Sequence, residues 1–177
     1  MRQVNRSALI VFGCNLIVLF LLVSWNDFWA QLGAYFHLPG LFFLFGASRL
    51  DNPRGITVAV LTGLLIDAST ASPFGLHAFG LVFCHLLARE GGEGMRSIRG
   101  LRPLVHLQAG NLLLLLVLCS WNVFQSPGGV PLGLGRIATD TILSQALLLP
   151  VGMWFLAFQD KLLLYAGVDS TEQPAAL

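Results

Sequence analysis

Charge is scarce in this chain. Only 11% of its 177 residues are Asp, Glu, Lys or Arg, against about 25% in soluble domains. The net charge is +1, so no electrostatic field marks the protein for nucleic acid. Cysteine is sparse as well. Cys14, Cys84 and Cys119 all fall inside apolar runs, where they read as small hydrophobes rather than disulfides or ligands. Convincing strands are missing, and with them any Gly-rich phosphate loop that would follow one. No His-Glu-x-x-His pair marks a zinc protease. The Gly-x-Gly-Asp pattern of intramembrane aspartyl proteases is absent around Asp67 and Asp140. Ser72 and His77 are near in sequence, but such a pairing is too common to signal catalysis. These absences argue against an enzyme.

What is present is apolar residue in long runs. Hydrophobic residues make up 55% of the chain and the mean hydropathy is +0.75. The sequence reads as an all-α integral membrane protein with no soluble domain. A hydrocarbon core of about 30 Å needs roughly 20 helical residues, and six runs are candidate spans: 7–25, 30–48, 55–71, 74–88, 104–124 and 137–158, the third and fourth of them short. The first follows Arg2 and Arg6 as a signal peptide would. It is of spanning length with no small-x-small cleavage site after it, so it reads as an uncleaved helix. Val11-Phe12-Gly13-Cys14 resembles a lipoprotein box poorly, since Phe12 is too bulky. Pro39-Gly40 should kink or split the second run. Residues 1–168 form one six-helix domain in this reading, and 169–177 a disordered tail.

Orientation follows from the basic residues. Arg2, Arg6, Arg49, Arg54, Arg89, Arg96, Arg99, Arg102 and Lys161 fall on one side, and Arg136 on the other. Such an imbalance places both termini in the cytoplasm. Trp25, Trp29 and Trp121 then fall at the outer interface. Arg96, Arg99 and Arg102 form a cytoplasmic basic loop suited to lipid headgroups.

One acid breaks the pattern. Asp67 ends the uncharged run 55–66, and an ionised Asp near a bilayer centre costs roughly 2.5–3.5 kcal/mol. The residues after it, Ser69 to Gly75, cannot readily continue a helix, so Pro73 and Gly75 mark a broken hairpin within the outer leaflet. Gly55, Ala59, Gly63, Asp67 and Ala71 recur every four residues, a stripe of small side chains that lets helices approach closely. Asp67 is expected at that seam, where it caps the broken end by accepting hydrogen bonds from nearby backbone or from Ser69 and Thr70, binds a substrate, ion or proton, or organises the surface on which a partner's transmembrane helix packs. Asp140 begins the sixth run, where it complements the helix dipole beside Arg136. Asn15, Gln108, Asn111 and Gln145 read as interhelical hydrogen-bonding groups. His77 and His85 lie about 12 Å apart along one helix, too far to share a metal, and His37 and His106 add no ligand spacing. No metal or other cofactor is expected.

The segments Arg49-Leu50-Asp51-Asn52-Pro53-Arg54-Gly55, Gly63-Leu64-Leu65-Ile66-Asp67 and Pro73-Phe74-Gly75-Leu76-His77-Ala78 together resemble the rod-shape-determining protein MreD family. That family has a basic Pro-containing joint, then Gly-Leu-x-x-Asp, then Pro-Leu-Gly followed closely by Ala; Phe74 replaces its usual Leu. The resemblance covers about thirty residues closely, and the rest by architecture. It implies a non-enzymatic component of the cell-elongation (rod) complex in a bacterial inner membrane. The implied partners are membrane lipid and MreC, with the elongation peptidoglycan synthase and MreB reached directly or indirectly. It also implies a fold similar to the substrate-binding components of energy-coupling-factor transporters. A vitamin-binding transporter subunit is therefore the alternative. Such subunits often carry Ala-x-x-x-Ala on the first helix, and here Ala8 is followed by Phe12.

Overall fold

The computed structural model describes residues 2–70, 72–90, 101–125 and 134–167. Among these residues there are six α-helices and no strand: α1 (Arg2–Ala30), α2 (Leu41–Arg49), α3 (Asn52–Ser69), α4 (Leu76–Glu90), α5 (Leu101–Gln125) and α6 (Leu134–Tyr165). Three carry stretches long and apolar enough to cross a membrane: Arg6–Ala30, Arg102–Asn122 and Gly135–Tyr165. The other three helices are shorter, with α2 having only nine residues. Ala71, Arg96, Arg99 and the 169–177 tail lie outside the described residues, and Arg102 sits in the first turn of α5.

The second apolar run is not one helix. Helix α1 continues to Ala30, a turn follows at 31–33, and residues 34–38 are non-helical before α2 begins at Leu41. Pro39 is the cause. It donates no backbone hydrogen bond, and it pushes the residue before it out of the helical region. Gly40 then passes close to α5: a Cβ there would lie 2.6 Å from the Cβ of Asn111.

Helix α2 forms the centre of the molecule. Its residues Leu41 to Ala47 are all buried, and it packs against each of the other five helices. A helix that is apolar all round belongs inside a bundle. Phe42 meets Phe155 of α6 edge to face at 6.1 Å, and Gly110 of α5 leaves room for the ring of Phe43. Around this centre α3 packs most extensively on α4, and α5 on α6.

Polar groups are buried among the apolar core, and large apolar side chains are left on the outside. Asn15, Thr62, Asp67, His77, Asn111, Ser144 and Gln159 are all buried, while Phe20, Phe79 and Ile142 are 69%, 75% and 68% exposed. The buried groups bond across helices. Gln159 of α6 donates to Asn15 of α1 at 3.0 Å, and Asn15 donates to Thr62 of α3 at 3.1 Å. Charge collects at one end of the bundle. Arg49 pairs with Asp160 at 2.9 Å, Arg54 with Asp51 at 2.9 Å, and Arg89 donates to the Leu50 carbonyl at 2.8 Å. The opposite end of α1 carries an aromatic cluster, with Trp29 against Trp25, Phe28 and Phe36 at centroid distances of 5.9 Å.

Candidate functional site

Asp67 sits at the end of α3 and faces the start of α4. Its Oδ1 accepts from the Ser72 hydroxyl at 3.1 Å, the His77 backbone N–H at 3.0 Å and the His77 ring Nδ1 at 2.8 Å. Its Oδ2 accepts from the backbone N–H groups of Gly75 at 2.9 Å and Ala78 at 3.4 Å. The first amides of a helix have no partner within it and form its positive dipole end. Asp67 therefore caps α4 from the preceding helix. Gly75 makes this possible with φ +94°, a left-handed conformation that glycine adopts without strain. Ser69 and Thr70 do not hold the carboxylate as expected. Both hydroxyls turn back to the Ile66 carbonyl, at 2.9 Å each, Ser69 as the last residue of α3 and Thr70 as its C-cap, where Thr70 also meets the Ser72 hydroxyl at 2.8 Å.

Ser72, His77 and Asp67 are together, yet they do not form a nucleophilic triad. That chemistry needs the serine on one ring nitrogen and the acid on the other. Here Ser72 Oγ lies 3.3 Å from His77 Nδ1, the same nitrogen that meets Asp67. His77 Nε2 is buried and has no hydrogen-bond partner among the described residues. The cluster fixes backbone and holds no activated hydroxyl.

The four-residue stripe on α3 faces α4 of the same chain. A Cβ on Gly63 would overlap the backbone of Ala78, and one on Gly55 would overlap the ring of His85. Ala59 lies between them and is buried. The seam expected from the spacing is therefore filled internally. Its four described residues, Gly55, Ala59, Gly63 and Asp67, are all buried.

A second site was not legible as such in the sequence. The backbone from Tyr35 to Gly40 runs through the bundle without helical hydrogen bonds, and side chains supply the missing partners. Asn26 of α1 brackets Phe36, donating to its carbonyl and accepting from its N–H, both at 2.8 Å. Asp140 and Ser144 of α6 accept from the N–H groups of Tyr35 at 3.1 Å and His37 at 2.9 Å. Asn111 of α5 donates to the His37 carbonyl at 3.1 Å and accepts from Gly40 at 3.0 Å. Asp140 thus acts on a distant segment. Helix α6 starts at Leu134, a turn earlier than expected, so Asp140 lies beyond the first turn where a dipole effect is felt. Arg136 approaches it at 3.7 Å. The sequence signal for this site is the i, i+4 pair Asp140 and Ser144 beside an unexplained Asn111. Gln108 does bridge helices, donating to the Gln145 carbonyl at 2.9 Å.

The two broken segments meet. The rings of His37 and His77 lie 5.4 Å apart, and the Nε2 of each is buried without a partner among the described residues. Beside them is a cavity of about 40 Å³ bordered by Asn26, His37, Ser69 and Thr70. Beyond His77 a second cavity of about 210 Å³ opens between α4 and α5, walled by Phe79, Phe83, Leu114 and Val117. Among the described residues no three His, Cys, Asp or Glu side chains are placed to hold a metal ion. No protein-family model matches the chain, and neither does any curated protein or solved structure.

Proposed function

We propose that this chain is a multi-pass protein of a bacterial inner membrane that serves as a fixed scaffold in the cell-elongation machinery. One observation carries the reading. Two of the three segments through which the sequence resembles the MreD family meet at one joint: Gly63 lies against Ala78, and Asp67 accepts from the backbone N–H groups of Gly75, His77 and Ala78. A motif spent on holding two helices together supports a structural role over a reacting one. The acceptor sites of Asp67 are all directed at its own chain, which leaves it a poor proton or substrate carrier.

The bilayer placement is supported by the exposed apolar faces and by the three helices of spanning length. Six passes with both termini cytoplasmic fit the clustering of Arg49, Arg54, Arg89 and Asp160 at one end. In this topology the second pass is a hybrid. Residues 34–38, taken as extended, and the nine residues of α2 together reach about 30 Å, using roughly 3.3 Å per extended and 1.5 Å per helical residue. Non-helical backbone at membrane depth is tolerated only where protein surrounds it, and the side chains around Tyr35 to Gly40 meet that need.

With the α3 stripe covered by α4, a partner such as MreC has to bind an outer face. The alternative, a vitamin-binding transporter subunit with an energy-coupling-factor-like fold, needs a polar cavity of substrate size. The cavity beside His37, where Asn26, Ser69 and Thr70 stand among mostly apolar residues, has room for about 40 Å³, a water molecule or two, and is not of that size. Depletion in a rod-shaped host tests the proposal. Rounded cells without a vitamin requirement are expected. Normal rods with defective vitamin uptake would overturn it.

A further inference from the structure

The basic residues at the charged end of the bundle differ in what they meet. Arg49 pairs with Asp160 and Arg54 with Asp51, both at 2.9 Å, while Arg89 donates to the Leu50 carbonyl at 2.8 Å. Arg102, in the first turn of α5, is exposed, and its guanidinium has no partner among the described residues. It begins a ridge. Arg102, Val105, Ala109 and Leu112 follow at steps of three, four and three, and all are exposed. Such steps keep side chains on one helix face. Seven residues separate Arg102 from Ala109, close to two full turns, so the two stand in line along α5.

Beside this ridge, between α5 and α6, lies a groove of about 590 Å³, walled by Leu104, Val105, Ala109 and Leu112 of α5 and by Leu149 of α6. Its two amides are turned away. Gln108 donates to the Gln145 backbone carbonyl, and the side-chain nitrogen and oxygen of Gln145 are buried within the chain. The groove therefore offers hydrocarbon alone. Its depth is that of one leaflet. From Leu104 to Leu112 the axis advances about 12 Å at 1.5 Å per residue, against about 15 Å for half of a hydrocarbon core of about 30 Å. A phospholipid has its phosphate at the interface and its chains below. The protein surface here has the matching order, an unpaired cation at the mouth and then an apolar channel toward the midplane.

We propose that the α5–α6 groove holds one acyl chain of an anionic phospholipid from the cytoplasmic leaflet, with the lipid phosphate paired to Arg102. The inference rests on the bilayer placement and orientation proposed above and not on the role in cell shape. A host that keeps its rod form after depletion removes that role and leaves the lipid site untouched.

The test uses the full chain, stripped of lipid in mild detergent and then given phosphatidylglycerol or phosphatidylcholine. Native mass spectrometry should count one phosphatidylglycerol per chain, held about fivefold more tightly than phosphatidylcholine, which is what one basic side chain contributes at an anionic surface. Arg102→Gln should remove the preference. Lys161→Gln should keep it. Lys161 is exposed beside Asp160 at the same end, but twelve residues from Leu149 place it about a third of a turn off the groove. Ala109→Trp and Leu149→Trp fill the groove from its two walls and should weaken retention of both lipids. The thermal midpoint in detergent alone reports that each variant folds. Glycerol phosphate, a headgroup without chains, should not compete. Equal affinity for the two lipids overturns the proposal, as does a loss in Lys161→Gln as large as in Arg102→Gln. Retention unchanged by both groove-filling variants overturns it too. So does an Ala109→Cys chain, with Cys14, Cys84 and Cys119 replaced by Ala, that oxidises to a second copy or to a different protein in native membranes. Labelling of Arg54→Cys and Arg136→Cys from opposite faces reports the bilayer placement separately, so that a lost lipid preference with the placement intact strikes this inference alone.

Discussion

Asp67 holds His77 at two points: the backbone N–H at 3.0 Å and the ring Nδ1 at 2.8 Å both meet the same carboxylate oxygen. One side chain therefore fixes both the start of α4 and the orientation of its first inward-facing ring. Every atom approaching the carboxylate is a donor, and this sets the outcome of substitution. Asp67→Asn keeps one oxygen but turns an N–H₂ group toward donors. It should lose about 1–3 kcal/mol, the cost of a buried polar group left without its partner. Asp67→Leu leaves all the donors unpaired and should lose more. Thermal unfolding in mild detergent should rank wild type above Asn and Asn above Leu. Equal midpoints for all three would refute the capping role.

The approach of α3 to α4 at Gly63 is closed to any side chain. A Cβ there meets the Ala78 backbone, which cannot swing aside as a flexible side chain can. Gly63→Ala should destabilise by about 1–3 kcal/mol, as overpacking does. Gly13 of α1 has open space around it, so Gly13→Ala should be neutral or gain up to about 1 kcal/mol from helix propensity. The opposite signs are read from the two unfolding midpoints.

Asn111 satisfies two backbone groups of the segment before α2. Asn111→Leu should therefore cost about 2–4 kcal/mol, since each buried orphan costs about 1–3. Ser144→Ala removes one acceptor, that for His37, and should cost less. Hydrogen exchange gives a local readout. The Gly40 amide should be protected in the wild type and exchange rapidly in Asn111→Leu. Protection that survives the substitution would contradict the assigned role.

Single cysteines report the sidedness. Arg54→Cys and Lys161→Cys should react with an impermeant reagent from the cytoplasmic face, and Arg136→Cys from the opposite face. Labelling of all three from one side would exclude the six-pass topology.

Helix α1, the break at Pro39-Gly40 and the inward placement of Asp67 were legible because each has a local cause. A long apolar run, an absent N–H and an unaffordable charge are visible in a short window. The same holds for the stripe, whose four-residue step shows in order. What filled the seam did not show, since small residues announce close approach without saying to what. The segment Tyr35–Gly40 was opaque for a different reason. Its backbone partners Asn111, Asp140 and Ser144 lie 71 to 107 positions away. A window around Pro39 holds no sign of them, so the run read as a kinked or split helix with nothing to say what holds the break. Asp140 was read beside Arg136 because neighbours in sequence are the first partners a reader can see.

That separation has a consequence for biosynthesis. The backbone of His37 waits for Ser144, which leaves the ribosome 107 residues later. Until then Asn26 can bracket Phe36, but in the bilayer placement proposed above the amides of Tyr35, His37 and Gly40 have no partner, and α2 is too short to insert alone. In that placement the nascent chain would hold this stretch at the surface or in the insertion channel until α5 and α6 arrive. A chain interrupted before Ser144 would leave it stranded, a ready substrate for membrane proteases.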